Sequence, residues 1–467
     1  MSDTMKREIV VLGGGPGGYA AAFRAADLGK QVLMIEQEKQ IGGVCLHVGC
    51  IPSKTLLHAA QVIRDAREIS SYGISFGEPK IDIKKLAGKK QDVVSKLASG
   101  VTGLAKARKV EVLHGRGVFE DANTLKVGEQ LVEFDQCIIA VGSSPIVLPF
   151  LPKDDPRIWD STDALEVKEI PSRLTVLGGG IIGLEMAEVY HRLGSKVTVV
   201  EMADQIIPGA DSDLVRPLYK LISDEYEGVY LNTTVTGVKA GKKGLAVTLE
   251  SKDAPGTLEA DVLLSAVGRK SNGGSLNLDA AGVKVNESGI IEVDEFLRTN
   301  VEHIYAVGDV TGPPMLAHRA LYQGRIAAEV IAGEPSAYTP MTVPSVAYTH
   351  PEVAWMGLTE KQAKKDSVPY TKGTVPWQAS GRALSAGMSQ GVTKVLFHKE
   401  SGRIIGAGIT GENAGELLAE AVLALEMGAD AEDIALTMHA HPTLSETFLL
   451  AAEQVHGSVT DMMPGKK

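Results

Sequence analysis

The apolar and polar positions follow the same pattern in two distant stretches of the chain. In each, an apolar run typical of a buried strand enters a glycine-rich turn, and small apolar residues at helical spacing follow. A Leu-Gly pair then ends the helix, and a second apolar strand finishes on a glutamate. The stretches are EIVVLGGGPGGYAAAFRAADLGKQVLMIE, residues 8–36, and RLTVLGGGIIGLEMAEVYHRLGSKVTVVE, residues 173–201. The pattern predicts an internal repeat of two strand–turn–helix–strand units.

Both turns carry the spacing GxGxxG. The first glycine permits a tight turn, the second lets the backbone approach a pyrophosphate, and the third lets the helix pack on the strand. Free N–H groups at the helix N-terminus favour an anion, and the final glutamate can accept hydrogen bonds from a ribose. We therefore expect two dinucleotides that exchange electrons, such as a flavin and a nicotinamide. The residues concerned are Gly13, Gly15, Gly18 and Glu36, then Gly178, Gly180, Gly183 and Glu201.

The second repeat favours NAD(H) over NADP(H). Glu201 is followed by MADQIIPGAD, a segment that contains neither Arg nor Lys. The Glu201 carboxylate would repel a 2′-phosphate, and this segment offers no cation to bind one.

The remaining pattern predicts helices and strands in alternation. KTLLHAAQVIRDAREI and KKLAGKKQDVVSKLASGVTGLAKA have helical periodicity, whereas KVEVLHGRGVF and TLKVGEQLVEFDQCIIAVGSSP read as strands with hairpin turns. GIIEVDEFLRTNVEHIYAVGDVTG returns to strands and then a loop. From about residue 343 the chain is β-rich with helices and ends in a short polar tail. We expect four domains, with the boundaries 1–148, 149–272, 273–342 and 343–467.

Composition limits the classes of protein to which the chain can belong. Its 467 residues exceed one ordinary core, and its net charge of −11 is spread along the chain, which argues against a general nucleic-acid surface. No apolar run reaches the ~18–20 residues that span a bilayer. The first residues read as a strand entering a glycine turn rather than a signal peptide. We expect a cytoplasmic protein, whose thiols are normally reduced.

Two of the three cysteines, Cys45 and Cys50, lie in GGVCLHVGCIPSK. A structural zinc site needs four ligands, commonly with CxxC spacing, so this CxxxxC pair argues against metal. In a regular helix, Cα atoms five residues apart are roughly 8–9 Å from each other, whereas a disulfide needs less than about 7 Å. A bridge therefore requires a distorted helix start, which the glycines and Pro52 make feasible, and such a bridge is labile. A nearby cation, Lys54, can lower a thiol pKa or polarise a flavin.

With these motifs together, the chain resembles the flavin-dependent disulfide reductases, and in particular those that oxidise dihydrolipoyl groups. The resemblance runs along the whole chain through GGVCLHVGCIPSK, both glycine motifs, AVGSSP, AVGRK, IYAVGDV, MLAH, AYTHPEVAWMG and HAHPTLSE. It implies an α/β fold with two Rossmann-like dinucleotide-binding domains, for FAD and for NAD. A central domain would complete the FAD site, and a C-terminal α+β domain would form a homodimer.

The resemblance also implies which residues bind each cofactor. FAD would contact the first glycine motif, Glu36, Lys54 beside the ring, and a further set: Gly117, Val141, Gly142, Ser143, Asp309, Met315, Leu316, Ala317 and His318. NAD would contact the second glycine motif, Glu201, Val235 and Gly268. Glu185 would pair with Lys54 near the nicotinamide side of the flavin.

In the implied mechanism Cys45 exchanges with the substrate sulfur and Cys50 lies against the flavin as a thiolate. A thiol needs a base, and HAHPTLSE supplies His441 with Glu446 as its orienting carboxylate. The resemblance places this pair in the partner subunit's active site. It also implies lipoyl carrier domains and the E2 core of 2-oxo acid dehydrogenase complexes as partners.

Three residues near these motifs have alternative interpretations. His439 is interpreted as structural, and Cys137 in the apolar FDQCIIAVG as a buried thiol. His47 lies between the cysteines, where many relatives have Asn. It is either a tolerated polar exchange or a group that, when protonated, promotes thiolate formation at mildly acidic pH.

Three other functions fit the sequence less well: a glutathione-type reductase, a mercuric-type reductase and a purely structural subunit. A glutathione-type reductase usually prefers NADPH, and no basic pair follows Glu201. A mercuric-type reductase carries an extra C-terminal cysteine pair, which VHGSVTDMMPGKK does not contain. A purely structural subunit of a multienzyme complex would not need an intact redox set.

Overall fold

The first dinucleotide unit is built around a sheet that the first repeat begins. In the computed structural model, which describes residues 4–463, strands β1 and β2 flank helix α1 as the repeat predicts. Three helices then precede four further strands. The bounds are β1 Met5–Leu12, α1 Pro16–Asp27, β2 Val32–Glu36, α2 Gly43–Val48, α3 Cys50–Glu68, α4 Ile83–Ala107, β3 Glu111–His114, β4 Gly117–Phe119, β5 Thr124–Val127 and β6 Gln130–Ile139.

The core strands of this sheet are parallel, and both faces are covered. The order is β3-β2-β1-β6-β5-β4, with β1 parallel to both β2 and β6 and with the β4–β5–β6 meander antiparallel. Strand β17, Ile304–Ala306, pairs parallel with β6, and helix α8, Ala317–Ile331, packs on α1. Residues 273–342 therefore complete the first sheet and its helical layer.

The second unit repeats this arrangement. Its parallel sheet has the order β11-β10-β9-β15-β8, and a three-stranded antiparallel sheet, β12-β13-β14, packs beside it. The bounds are β8 Ile158–Trp159, α5 Ser161–Glu166, β9 Arg173–Leu177, α6 Ile181–Leu193, β10 Lys196–Val200, α7 Ser212–Glu225, β11 Gly228–Tyr230, β12 Thr234–Gly241, β13 Gly244–Glu250, β14 Thr257–Ala260 and β15 Val262–Ser265. A two-stranded ribbon, β7 Ser143–Pro145 with β16 Arg269–Ser271, connects the two units.

The C-terminal part is the expected β-rich region with helices. Its five strands are antiparallel in the order β18-β19-β22-β21-β20. The bounds are β18 Ser345–Ala347, β19 Glu352–Gly357, α9 Glu360–Lys365, β20 Tyr370–Pro376, α10 Gly381–Ser385, β21 Val392–His398, β22 Ile404–Gly411, α11 Ala414–Glu426, α12 Ala431–Leu436 and α13 Glu446–His456. The predicted α/β fold is confirmed. Part of the expected polar tail, residues 464–467, lies outside the described residues.

One predicted stretch of strands is wrong. Of GIIEVDEFLRTNVEHIYAVGDVTG, only β17 is a strand, and Ile291 makes an isolated bridge to Val285. The Asp294 carboxylate accepts hydrogen bonds from the backbone N–H groups of Phe296 and Arg298, 2.9 and 2.8 Å away. This side chain folds the backbone into a turn, which competes with a strand ladder.

A buried lysine joins the second unit to the C-terminal sheet. Lys394 on β21 is 2% exposed, and its Nζ lies 2.8 Å from Asp211, 2.7 Å from Asp213 and 3.1 Å from Glu360. Asp211 also accepts hydrogen bonds from the backbone N–H groups of Glu360 and Lys361 at the start of α9. These three carboxylates have the spacing of a metal site, but the lysine ammonium takes the position of the cation.

No helix of the described part of the chain has both the length and the apolar character needed to cross a membrane.

Candidate active site

The two glycine turns have the geometry that their spacing predicts. Gly13 and Gly178 have φ of +106° and +102°, a region open to glycine. A Cβ on Gly18 would lie 1.8 Å from the Gly13 carbonyl oxygen, and one on Gly183 would lie 2.1 Å from the Gly178 oxygen. The third glycine of each motif therefore permits close packing of helix on turn.

The middle glycines face open space instead. A Cβ on Gly15 would meet nothing nearer than the Gly43 Cα at 3.8 Å, and one on Gly180 would meet nothing within 4 Å. Both residues line a large cavity, so the backbone at each turn is open to a ligand.

Each terminal glutamate also stabilises its own turn, a contact that the sequence does not reveal. Glu36 accepts hydrogen bonds from the N–H groups of Gly14 at 2.6 Å and Glu38 at 2.8 Å. Glu201 does the same with Gly179 at 2.6 Å and Ala203 at 2.7 Å. A carboxylate has about four acceptor positions, so a ribose hydroxyl can still bind.

One cavity of about 2370 Å³ connects both turns with the cysteine pair. Four of the predicted site residues are not on its wall: Gly18 and Gly183, which pack internally, and His441 and Glu446. The predicted residues that do line it are Gly13, Gly15, Glu36, Cys45, Cys50, Lys54, Gly117, Val141, Gly142, Ser143, Gly178, Gly180, Glu185, Glu201, Val235, Gly268, Asp309, Met315, Leu316, Ala317 and His318.

The cysteines lie on either side of a helix break. Helix α2 ends at Val48, Gly49 has φ −146° and ψ −115°, and α3 begins at Cys50. The predicted distortion of the helix is thereby confirmed. The two sulfur atoms are 2.7 Å apart, so the pair can form a disulfide with little movement. Gly43 lets this segment approach the first turn, because its Cβ would lie 2.6 Å from the Gly15 Cα.

The two thiols have opposite shifts in pKa. The hydrogen bond from Cys45 and the charge of Lys54 lower the pKa of Cys50 to about 7, although burial opposes them. The pKa of Cys45 is raised, because it keeps the proton that it donates to Cys50 and because it is buried. The pair therefore loses its first proton as a Cys50 thiolate.

The predicted ion pair beside the cysteines is present. Lys54 Nζ lies 2.9 and 2.8 Å from the two carboxylate oxygens of Glu185. Glu185 on α6 is only 4% exposed, whereas the Lys54 side chain is 37% exposed and lines the cavity. The pair brings a cation from α3 next to the Cys50 sulfur.

Asp309, predicted near the flavin, is held by the predicted Ser143, which in turn is bound by a residue that sequence reasoning missed, Arg269. Ser143 Oγ donates to Asp309 Oδ2 at 2.5 Å, and Arg269 Nε donates to Ser143 Oγ at 2.7 Å. Burial lowers the pKa of Arg269, which the charges of Asp309, Asp160 and Cys50 partly oppose. Arg269 stands in the AVGRK motif, so that motif could have indicated it.

The remaining missed groups are aromatic. Tyr19 follows the first glycine motif, and burial together with the charges of Cys45 and Cys50 raises its pKa. Tyr348, from AYTHPEVAWMG, lines the cavity and places its ring over Lys54. Tyr348 lies inside a motif that was identified only as a whole, and Tyr19 is the residue next to a motif whose glycines alone were assigned roles.

The C-terminal histidine lies apart from the cysteines of its own chain. His441 is 79% exposed, and its Nδ1 lies 2.8 Å from Glu446 Oε1. Because a carboxylate only accepts, Nδ1 carries the hydrogen and Nε2 is the basic nitrogen. Burial raises the pKa of Glu446, but hydrogen bonds from Thr443 and His441 outweigh it, so the pKa is lowered.

The structure also shows the surroundings of the three residues that have alternative interpretations, His439, Cys137 and His47. The His439 side chain is 5% exposed and lies 2.7 Å from Glu420, as a structural residue would. Cys137 is fully buried in β6, and burial raises its pKa. His47 Nε2 donates to the Ile41 carbonyl at 3.0 Å, which fixes its ring beside the cysteine segment.

Comparisons with known proteins agree on one family. Residues 7–324 match the family model described as pyridine nucleotide-disulphide oxidoreductase, and residues 343–452 match the dimerisation domain of the same family. The chain is 53% identical to dihydrolipoyl dehydrogenase of Vibrio cholerae over all of this chain and 99% of that protein. It is 51% identical to dihydrolipoyl dehydrogenase of Haemophilus influenzae over all of this chain and 98% of that protein.

Solved structures share the fold over nearly the whole chain. LpdA from Mycobacterium tuberculosis has a TM-score of 0.88 at 28% identity, covering 97% of this chain and 100% of that one. The HOCl-induced flavoprotein disulfide reductase RclA from Escherichia coli has a TM-score of 0.85 at 28% identity, covering 96% and 99%.

Proposed function

The chain belongs to the pyridine nucleotide-disulphide oxidoreductase family, and within it we propose that it oxidises dihydrolipoyl groups to lipoyl groups with reduction of NAD+ to NADH. The observation that carries the proposal is the Cys45–Cys50 pair, which shares one cavity with both dinucleotide turns and with Lys54–Glu185. Its cofactors are FAD and NAD. The first turn would hold FAD and the second NAD, and FAD would supply a two-electron path from the dithiol to NAD+.

The cysteines perform the sulfur exchange. With the pair oxidised, a substrate thiolate attacks Cys45 Sγ, which forms a mixed disulfide and breaks the Cys45–Cys50 bond. The second substrate thiolate then attacks the substrate sulfur of that mixed disulfide, closing the lipoyl ring and releasing the Cys45 thiolate. The low pKa of Cys50 suits its role as the first leaving group. The two electrons now reside in the reduced cysteine pair.

A base must take the protons of the substrate thiols. His441 Nε2 of the partner subunit is assigned this role, with Glu446 fixing the tautomer. The assignment requires a homodimer, which the dimerisation domain supports. Large apolar side chains on the same domain are 63–96% exposed in the single chain, as expected of a surface that a second subunit covers: Leu423, Met427, Leu436 and Met438.

The substrate groups would arrive on carrier domains. We place the protein in the cytoplasm with lipoyl carrier domains and the E2 core of 2-oxo acid dehydrogenase complexes as its partners.

NADH is expected to reduce the bound flavin at least about 10²-fold faster than NADPH, a difference worth roughly 3 kcal/mol. The Glu201 carboxylate would lie near a 2′-phosphate, and no cation is among the described cavity-lining residues next to it on the same loop or at the start of β12, which are Met202, Pro208, Thr233, Thr234 and Val235. The holoenzyme is mixed anaerobically with each nucleotide while the flavin absorbance is followed. Dithionite reduction serves as the control for a reducible flavin, and faster reduction by NADPH would contradict the cofactor assignment.

His441→Gln is expected to lower turnover of dihydrolipoamide by about 10²–10⁴-fold, as loss of a general base does. Reduction of the flavin by NADH should be unchanged, because that half-reaction does not use the base. His439→Gln is the matched control, since this histidine also pairs with a carboxylate but is buried. Steady-state and stopped-flow rates are compared for the two variants. Equal turnover in both would remove His441 from the mechanism.

A further inference from the structure

Tyr348 lies where three parts of the chain meet. It follows β18 in the C-terminal sheet, and the centroid of its ring is 4.3 Å from the ammonium of Lys54 on α3. Its backbone N–H donates to Glu185 on α6, 3.2 Å away. One residue thus contacts both members of the ion pair, the cation by its ring and the carboxylate by its backbone.

The ring restrains the Lys54 side chain on a side that Glu185 does not reach. Lysine carries a compact charge on four flexible carbons, and Glu185 binds its ammonium from one side only. An aromatic face on another side attracts the cation and keeps water from it. Burial raises the pKa of Tyr348, as do the charges of Glu352, Glu185 and Glu416, so its phenol stays neutral and does not compete for the lysine.

We propose that Tyr348 is a positioning residue that holds the Lys54 ammonium between Cys50 and the flavin. The inference rests on the proposed function, because FAD must occupy this part of the cavity. Tyr348 acts through Lys54 and takes no part in bond making. Because Tyr348 follows a strand of the C-terminal sheet, the charge around Cys50 depends on how that sheet is docked against α3 and α6.

The Cys50 thiolate is the probe for the position of Lys54. The charged groups that face this thiol are Cys45, Lys54, Glu185 and Arg269, with the phenols of Tyr19 and Tyr348 nearby. Lys54 lowers the pKa of Cys50, so a more mobile ammonium will raise it. The pH midpoint of the thiolate–flavin absorbance in the reduced enzyme reports this pKa.

Tyr348→Phe keeps the ring, and Tyr348→Leu removes it, while both keep the backbone N–H that binds Glu185. The Phe variant should have the midpoint of the wild type, and the Leu variant should show a rise of about half a unit or more. Tyr322→Leu is the matched control, because Tyr322 has the same exposure and holds Arg325 over its ring, 4.8 Å from the centroid. It should leave the midpoint unchanged.

An unchanged midpoint in Tyr348→Leu, or an equal rise in Tyr348→Phe, would overturn the proposal. Tyr348→Met is measured in place of the Leu variant if the latter does not retain FAD. The absorbance is read after one two-electron equivalent of dithionite per flavin, which reduces the cysteine pair and leaves the flavin oxidised, so it does not depend on the substrate. A wild-type enzyme without dihydrolipoamide turnover would instead refute the proposed function and leave the midpoint comparison valid.

Discussion

Cys45→Ser is expected to lower dihydrolipoamide turnover by about 10³-fold or more, the loss typical of removing a nucleophile. A serine hydroxyl cannot form the mixed disulfide with the substrate, because its oxygen does not take part in thiol–disulfide exchange. The Cys50 thiol remains beside Lys54, so NADH should still reduce the flavin. Turnover and single-turnover flavin reduction are measured on the same holoenzyme.

Cys50→Ser should abolish the same turnover for a different reason. Without Cys50 there is no Cys45–Cys50 bond for the substrate thiolate to break, so no mixed disulfide can form, and no thiolate lies next to the flavin. The long-wavelength thiolate–flavin absorbance should therefore vanish in Cys50→Ser. It should be present in Cys45→Ser while the flavin is oxidised, because the Cys50 thiolate is then free without any reduction. Cys137→Ala is the control, because that thiol is buried in β6 and its pKa is raised. Retention of dihydrolipoamide turnover in Cys45→Ser would refute the mechanism.

Lys394→Met is expected to destabilise the protein by about 3–5 kcal/mol, the cost of leaving buried charges without a partner. Asp211, Asp213 and Glu360 would then face one another without the ammonium that now lies within 3.1 Å of each. Thermal or urea unfolding of the holoenzyme measures the loss. Lys372→Met is the matched control, since Lys372 binds the same Glu360 at 2.9 Å but is 45% exposed.

The stability that Lys394→Met loses relative to the wild type is expected to depend on pH. Burial raises the pKa of Glu360, but hydrogen bonds from Lys372, Tyr370 and Lys394 outweigh it and lower the pKa to about 2. Its contribution to stability is therefore present above an unfolded pKa of about 4.3 and is lost as the pH falls towards 2. In folded Lys394→Met the carboxylates bind protons more readily, because the ammonium that stabilised their charged form is gone. The loss of stability relative to the wild type should therefore be full at pH 7 and smaller towards pH 5. Equal losses for Lys394→Met and Lys372→Met would contradict this account.

Periodic and local features of the sequence predicted most of the fold and the centre of the site. The strand–turn–helix–strand units are local patterns, and their glycines have φ values and close contacts that other residues could not adopt. The cysteine pair and the distortion of the helix between its members could be predicted for the same reason, since both depend on residues that are close in sequence. The error at residues 289–298 was also local, because Asp294 forms a turn within an alternating pattern that predicts a strand.

Contacts between residues far apart in the sequence could not be predicted from local patterns. Lys394 is 183 residues from Asp211, and Arg269 is 126 residues from Ser143. A lysine in an apolar strand gives no indication of which carboxylates surround it. Lys54 and Glu185 could be paired only through the resemblance, and the ring of Tyr348 was not foreseen.

At Lys54, helices α3 and α6 meet the loop after β18. This arrangement has a consequence for the chain while it is being synthesised. Cys50 is synthesised almost 300 residues before Tyr348 and more than 130 before Glu185. Until those segments dock, the lysine beside the thiol is unrestrained and solvated, and the pKa of Cys50 stays closer to that of an ordinary cysteine. We therefore expect the Cys50 sulfur to become more reactive towards oxidants as these segments fix Lys54 in place, while Cys45, five residues away, makes the larger contribution to its lowered pKa.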